Sequence, residues 1–484
     1  MMRGAWRVAD VRAAEDALMA RLPEGTLMQR AATGLARRVA LLLTGGVYGS
    51  RVQLLVGAGN NGGDALYAGT LLARRGATVS ALLLVPDRVH SGGFTAFRAA
   101  GGTVAAELSS TVDIVVDGMV GIGATGGLRG RAADVARTLG DLRDARPTVV
   151  AVDVPSGVDV DTGDVPGWAV RADVTVTFGC LKPAHVLGPA AVAAGQVDLV
   201  DIGLRPWLRT PPAIWIPDRA DVSGWWPAPV ADSDKYTRGV VGLATGSAAY
   251  PGAAVLSVAG ALAGPAGLVR YAGGAGDLVH QRHPSVIVAD RVGGAGRVQA
   301  WVCGSGLGTD ERALGELRAV LGAPVPVVLD ADALTLLVDG SMAGALRHRD
   351  APIVVTPHDR EFARLAGEPP GADRAAAALR LAAWMNAVVL LKGDRTIVAT
   401  PDGRAWANPT GTAALATGGT GDVLAGLVGS LLAGGLPAER AAVAGAYVHG
   451  LAGRAAAEGG PVTSEDVAGA LRAVVRETLR PAVG

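Results

Sequence analysis

Lysine is almost missing from this sequence of 484 residues. Of 44 basic side chains only Lys182, Lys235 and Lys392 are lysine, and asparagine is confined to Asn60, Asn61, Asn386 and Asn408. Arginine cannot stand in for lysine where a compact ammonium is needed, nor aspartate for asparagine where a neutral amide must ligate. The positions that keep these residues are therefore the first candidates for chemistry. Cysteine is equally scarce: Cys180 and Cys303 lie far apart, without Cys-x-x-Cys spacing, so neither a disulfide framework nor a structural zinc site is indicated. A reducing cytoplasm is the expected location. Net charge is absent too, 44 basic residues balancing 44 acidic ones, which leaves no field of one sign for nucleic acid or an anionic membrane. No run of about 18 uncharged apolar residues occurs. The stretch from Met1 to Glu15 carries Arg3, Arg7, Asp10 and Arg12 where a signal peptide would be apolar. Export, membrane insertion and nucleic-acid partners are all unexpected.

What is present is apolar. Hydrophobic residues make up 50% and charged residues 18%, the composition of a chain that buries cores. At roughly 100 to 200 residues per domain, two or three domains are expected. The first 200 residues alternate β-branched runs at 52–56, 79–85, 114–117, 149–154, 174–178 and 197–202 with helical stretches such as 65–75 and 94–100. Short apolar runs without polar alternation are strands covered on both faces, and intervening helices imply parallel crossovers. Between 204 and 238 six prolines and four tryptophans interrupt this texture, marking a packed connector. A second α/β pattern follows, with strands at 240–244, 285–289, 300–303, 325–329, 353–356, 387–391 and 396–399 and helices at 374–384 and 424–432. The fold class is α/β, with two doubly wound domains at 1–208 and 233–484 joined by a Pro/Trp-rich connector at 209–232.

Two Gly-x-Gly-x-x-Gly spellings follow strands of the first half, at 57–62 and 121–126. Glycines after a parallel strand let backbone N–H groups approach an anion at a helix N-terminus, so a phosphate-bearing ligand is expected. A third strand end, at 149–157, places Asp153 at the edge where open α/β sheets bind ligands. Asn61, Asp117 and Ser156 would converge at adjacent strand ends, a low-charge oxygen set better suited to a monovalent cation than to zinc. Helix capping and turn hydrogen bonds are the plain alternatives for Asn61 and Ser156.

In the second half the strand at 387–391 runs into Lys392, Gly393, Asp394, Arg395 and Thr396, and the turn at 418–421, three glycines and a threonine, opens an apolar helix. Such a turn presents several N–H groups to a transferring phosphoryl group. Asp422, at the helix start, can accept the proton of an attacking hydroxyl. A helix-capping role is the alternative. The P-loop spelling Gly-x-x-x-x-Gly-Lys-Ser/Thr is missing.

Together, the segment at 26–31, the Asn-Asn-Gly-Gly-Asp loop, the Asp117 strand and the Asp-Val-Pro-Ser-Gly segment at 153–157 resemble the epimerase half of the bifunctional NAD(P)H-hydrate repair enzymes, a Rossmann-like three-layer domain. The motifs at 235–239, 250–254, 304–308, 330–334, 356–361, 392–396 and 418–426 resemble the ADP/ATP-dependent NAD(P)H-hydrate dehydratases of the ribokinase-like superfamily. The first resemblance implies that Asn60, Asn61, Gly62, Gly63 and Asp64, with Gly121, Ile122, Gly123, Ala124, Thr125, Gly126 and Gly127, hold the damaged dinucleotide. Asn61, Asp117 and Ser156 would ligate potassium. The second implies that Lys392, Gly393, Asp394, Arg395, Thr396 and Gly421 hold ADP or ATP with magnesium. Ala254, Gly306, His358 and Asp422 would contact the hydrate, and the reading accounts for Asn408 if that residue lies near the nucleotide. The implied activity is epimerisation of hydrated NADH or NADPH followed by nucleotide-dependent dehydration, acting on small molecules in a homo-oligomer.

Epimerisation needs a proton carrier. Asp153, its pKa raised toward working pH at a buried strand end, is the first candidate; Lys182 is the second. His185 is read as structural. Two positions depart from the family: Ala65 and Ser285 replace a usual glycine and glutamate, with Glu361 a candidate substitute carboxylate. The competing readings are a dinucleotide-dependent dehydrogenase, a dinucleotide sensor, and a small-molecule kinase that stops at the phosphorylated product.

Overall fold

A computed structural model describes residues 2–123, 126–142, 146–338 and 346–481. The chain divides into two compact units, Gly4–Ile214 and Trp215–Gly484, the second joined by the first three residues.

Strand β1 (Arg3–Ala5) opens the chain, and Ala5, the second residue of the first unit, bridges Leu181. The sheet of this unit comprises β2 (Arg51–Val56), β3 (Thr78–Leu83), β4 (Thr103–Ala105), β5 (Ile114–Gly118), β6 (Thr148–Val152), β7 (Val174–Phe178) and β8 (Gln196–Val200) in the order β4-β3-β2-β5-β6-β7-β8, all parallel. The side-chain alternation of a strand sends Leu54, Val116 and Val152 into one core and Leu55, Val115 and Ala151 into another. Helices Val8–Met19, Thr26–Leu42 and Asn60–Ala73 supply the first core, and Gly130–Asp141 the second. Helices on both faces therefore make the expected three layers. Helix Asn60–Ala73 begins within the Asn-Asn-Gly-Gly-Asp loop itself, several residues before the expected start, so that loop is the helix's first turn.

In the second unit β9 (Ile214–Ile216), β10 (Val240–Ala244), β11 (Leu268–Ala272), β12 (Ile287–Ala289), β13 (Ala300–Cys303), β14 (Val327–Leu329), β15 (Ile353–Val355), β16 (Val388–Leu391), β17 (Ile397–Ala399) and β18 (Ala405–Ala407) run in the order β9-β18-β17-β16-β15-β14-β13-β10-β11-β12. From β12 to β16 neighbours are parallel, and β17 turns back antiparallel to both β16 and β18. Helices Pro251–Ala263 and Thr420–Ala433 press together backbone to backbone. A Cβ on Gly260 would stand 2.0 Å from the Val423 carbonyl, and one on Gly426 would stand 1.9 Å from that of Ser257. Only glycine permits this approach, and it places the first turns of both helices against the ends of β10 and β13. Among the described residues no helix is long and apolar enough to cross a membrane.

Candidate active sites

In the first unit β6 stops at Val152 because the next residue, Asp153, adopts φ +65°. Such a conformation costs about 1–3 kcal/mol and persists only where its surroundings impose it. Here the Lys182 N–H donates to Nδ1 of His185 (3.0 Å), which leaves the imidazole proton on Nε2 to reach the Asp153 carbonyl at 2.9 Å. Burial and then Lys182 push His185 down to about 4, so the ring is neutral and holds the turn, as its structural reading expects.

Lys182 is 1% exposed. Its ammonium donates to Asp153 Oδ1 (2.5 Å), Thr177 Oγ1 (3.0 Å) and the Phe178 carbonyl (3.1 Å), so all three of its protons are placed. Burial raises the Asp153 carboxyl, but the Lys182 charge and hydrogen bond override it and the net shift is downward. Burial pulls Lys182 down and Asp153 overrides that too. The pair is ionised. This corrects the expectation that Asp153 is raised toward working pH: burial acts in that direction, but a cation in direct contact acts more strongly. Two further carboxyls share the cluster and behave oppositely. Asp64 is buried, its Oδ1 has no hydrogen-bond partner, and burial, then Asp153 and Glu15, lift it well above the usual carboxylate range. Glu15, from helix Val8–Met19, is raised mainly by burial.

The glycine turns meet beside this cluster. Gly59 (φ +102°) precedes helix Asn60–Ala73 without a side-chain cap, leaving first-turn N–H groups free for an anion. Asn60 is exposed there, whereas Gly62 and Gly63 are buried. A Cβ on Gly57 would stand 1.7 Å from the Met119 carbonyl, and one on Gly121 2.5 Å from Asn61 Oδ1. Asn61 donates to the carbonyls of Val120 (3.2 Å) and Val152 (2.7 Å). The Val120 N–H donates to Ser156 Oγ (2.9 Å), which donates to Asp117 Oδ1 at 2.6 Å. Asn61 and Ser156 thus meet at Val120, and Asp117 joins them through Ser156. Asp117 is fully buried, and its pKa is raised by that burial against hydrogen bonds from Ser156 and Met119 alone. Ile122 and Gly123 form the following turn, Gly126 has φ +83°, and Gly127 packs on Gly167. Ala124 and Thr125 lie outside the described residues.

The second unit repeats the device. Asp330 follows β14, 1% exposed, and the next residue, Ala331, has φ +48°. Asp330 accepts from Lys392 Nζ (2.8 Å), Thr356 Oγ1 (2.7 Å) and Ser305 Oγ (2.9 Å). Glu361 lies 3.6 Å from Lys392 Nζ and accepts the His358 N–H at 2.8 Å. Burial lowers Lys392, but Asp330 and Glu361 more than restore it. Arg374 clamps the turn, donating to the Lys392 carbonyl at 2.9 Å while pairing with Asp359 through two hydrogen bonds. Thr396 closes it by donating to the Gly393 carbonyl, and the Asp394 carbonyl packs on Gly411 while Arg395 reaches Pro409.

Opposite stands helix Thr420–Ala433, opened by Gly419 (φ +88°) without a side-chain cap. A Cβ on Gly421 would sit 3.3 Å from Lys392 Nζ, so the lysine ammonium and the helix N-terminus face one space. Asp422, in that first turn, is pushed up to about 7 by burial and by Asp330, against Lys392. Ala254 is buried against Gly246, whose N–H donates to Ser305, and Gly306 (φ +63°) packs on Ala253.

Comparison with known proteins decides the family. Residues 24–184 match the family described as YjeF-related protein N-terminus, and residues 241–471 match NAD(P)H-hydrate dehydratase. The bifunctional NAD(P)H-hydrate repair enzyme Nnr of Mycobacterium leprae is 47% identical over 471 residues, 95% of this chain and 96% of that relative. The chain belongs to the bifunctional NAD(P)H-hydrate repair enzymes. The Mycobacterium tuberculosis H37Rv enzyme of that name is 48% identical over 412 residues, 84% of each chain. A ribokinase-like superfamily protein from Enterococcus faecalis V583 superimposes with TM-score 0.50 at 26% identity, covering 56% of this chain and 98% of that one, and the second unit is ribokinase-like.

Within this repair-enzyme framework some expectations are revised. Lys235 is exposed, 5.1 Å over the Tyr236 ring, so lysine scarcity marks two sites rather than three. Asn408 donates to the Ala446 carbonyl and accepts from Thr410; its amide ties β18 to helix Ala438–Ala457. Ala65 fits because the facing residue is Gly118, whose Cβ would stand 2.8 Å from that of Ala65. Ser285 is exposed, while Glu361 stands beside Lys392. Sequence reading did not single out Glu15, Thr177, Arg374, or Arg12, whose guanidinium lies against Gly123. A sequence so sparing of lysine signals Lys182 and Lys392, but nothing local reveals which acids close on them.

Proposed function

We propose that each unit carries one step of hydrate repair: the first exchanges the R and S epimers of hydrated NADH or NADPH, and the second dehydrates the S epimer with ADP or ATP. The observation that carries the second step is an aspartate in the first turn of an uncapped helix, pushed up to about 7 by burial and facing the Lys392 ammonium. Hydroxide is a poor leaving group, so the hydrate hydroxyl is first phosphorylated and phosphate then eliminated. Asp422 accepts the hydroxyl proton, matched in pKa to neutral pH. Lys392, kept cationic by Asp330 and Glu361, and the amides at Gly421 receive the phosphoryl charge. The turn from Lys392 to Thr396 holds the nucleotide, with Ala254, Gly306 and His358 toward the hydrate.

Magnesium fits as a passenger on the nucleotide. Among the described residues no three His, Cys, Asp or Glu side chains are grouped to hold a metal, and this ion commonly binds through phosphates, waters and one or two carboxylates. It supplies charge neutralisation at the phosphates. In the first unit Asn61, Asp117 and Ser156 offer amide, carboxylate and hydroxyl oxygens around a buried acid that lacks a cationic partner among its hydrogen bonds, which suits potassium. That ion would balance Asp117 and fix the loop that Asn61 begins.

Asp422→Asn separates the steps. It should abolish nucleotide-dependent loss of hydrate while epimer exchange continues; loss of both activities would contradict this division. A stable phosphorylated product from the unmodified chain would instead identify a kinase.

A further inference from the structure

The epimerase reading leaves open which group delivers the proton, and Asp153 is poorly placed to do so. Its Oδ1 already accepts from Lys182, Thr177 and the Phe178 N–H, so protonating it would break a buried ion pair. Asp64 has the opposite surroundings. It projects from helix Asn60–Ala73 just past the first turn, is 7% exposed, and keeps Oδ1 buried without any partner. A buried carboxylate oxygen accepting nothing is costly, and the neutral acid removes most of that cost. The charged groups that act on Asp64 are Asp153, from the end of β6, and Glu15, from helix Val8–Met19; both are acidic, and Lys182 is engaged by Asp153. Two carboxyls in one cluster are thus driven apart, one toward its ionised and the other toward its protonated form, and such separation points to an acid and its counter-charge.

Resting on the epimerase reading of this unit, we propose that Asp64 is the proton donor of epimerisation, with the Asp153 carboxylate, held in place by Lys182, as the negative charge that faces the cation formed. The C6–O bond of the hydrate breaks, its electron pair leaving with the hydroxyl, which takes the Asp64 proton and departs as water. The ring-nitrogen lone pair forms the C=N bond of an iminium, stabilised by ionised Asp153. Water then adds to the other face, and its released proton returns to Asp64. Nothing is oxidised or reduced, and no co-reactant is required.

The test follows epimer exchange of the R hydrate of NADH by the full chain in ¹⁸O-labelled water without nucleotide. The unmodified chain should place label in the C6 hydroxyl at each exchange. Asp64→Asn should lose exchange about 100-fold or more, the range of a removed general acid, with unchanged circular dichroism. Asp64→Glu should recover part of it. Exchange without label, or Asp64→Asn within about threefold of the unmodified rate, would overturn the proposal alone. An unmodified chain that exchanges nothing would overturn the epimerase reading and this proposal with it. If Asp64→Asn does not fold, the pH profile decides: exchange should fall on the alkaline side as the acid ionises, at a position moved by Asp64→Glu. A profile flat through the alkaline range would sink it.

Discussion

At the residue scale, both sites use a lysine to hold a buried aspartate at a strand end in its charged form, and a second acid nearby that burial keeps protonated more readily. Lys182 with Asp153 leaves Asp64 raised; Lys392 with Asp330 leaves Asp422 at about 7. The sign of the pH dependence follows. Asp422 works as a base only when ionised, so dehydration should fall as pH drops through about 7, roughly tenfold per unit below it, read as initial rates of NADH recovery from the S hydrate at saturating nucleotide. A flat rate from pH 8 to about 5.5 would remove Asp422 from that role. Lys182→Ala leaves Asp153 charged, buried and unpaired, which should cost about 3–5 kcal/mol, visible as an earlier unfolding transition in urea. Scarcity alone marked Lys182 and Lys392 as candidates, and its strand-end position marked Asp153. That each lysine pairs with an aspartate was not legible, because Asp153 is 29 and Asp330 62 positions away in the chain, and only the fold brings them together.

At the scale of elements, the glycine-rich segments read as loops before helices are the helices' first turns. Gly59 and Gly419 leave both N-termini uncapped, and the free N–H groups are what a phosphate requires. The parallel strands were legible because runs buried on both faces are continuously apolar. β11 was not, since its Leu-Val-Arg-Tyr-Ala alternates, and the three-residue β4, β9 and β18 are too short for any period to show. The 149–154 run overshot its strand because Asp153 turns out of the sheet at positive φ, a departure that apolar patterning does not encode. Close approach is testable here. Gly57→Ala would drive a methyl into the Met119 carbonyl and should destabilise the first unit by about 1–3 kcal/mol while slowing epimer exchange. Gly45→Ala, where nothing lies within 4 Å, should change stability by no more than about 0.5 kcal/mol. Equal effects of the two, measured by urea denaturation, would show that the two glycine turns do not need to touch.

At the scale of the whole molecule, a chain without net charge relies on local fields: buried ion pairs and helix ends do the work that a charged surface does elsewhere. Each compact unit carries a complete set of these parts, so each should run its own step. The direct measurement is recovery of reduced-nicotinamide absorbance from a racemic NADH hydrate mixture with ADP or ATP, comparing the unmodified chain with Asp153→Asn. The unmodified chain should restore all of the NADH. Asp153→Asn should restore the S half rapidly and the remainder only as slowly as the epimers interconvert unaided. If the unmodified chain itself stalls at half recovery, or if Asp153→Asn restores everything at the same rate, two independent sites in one polypeptide is the wrong account.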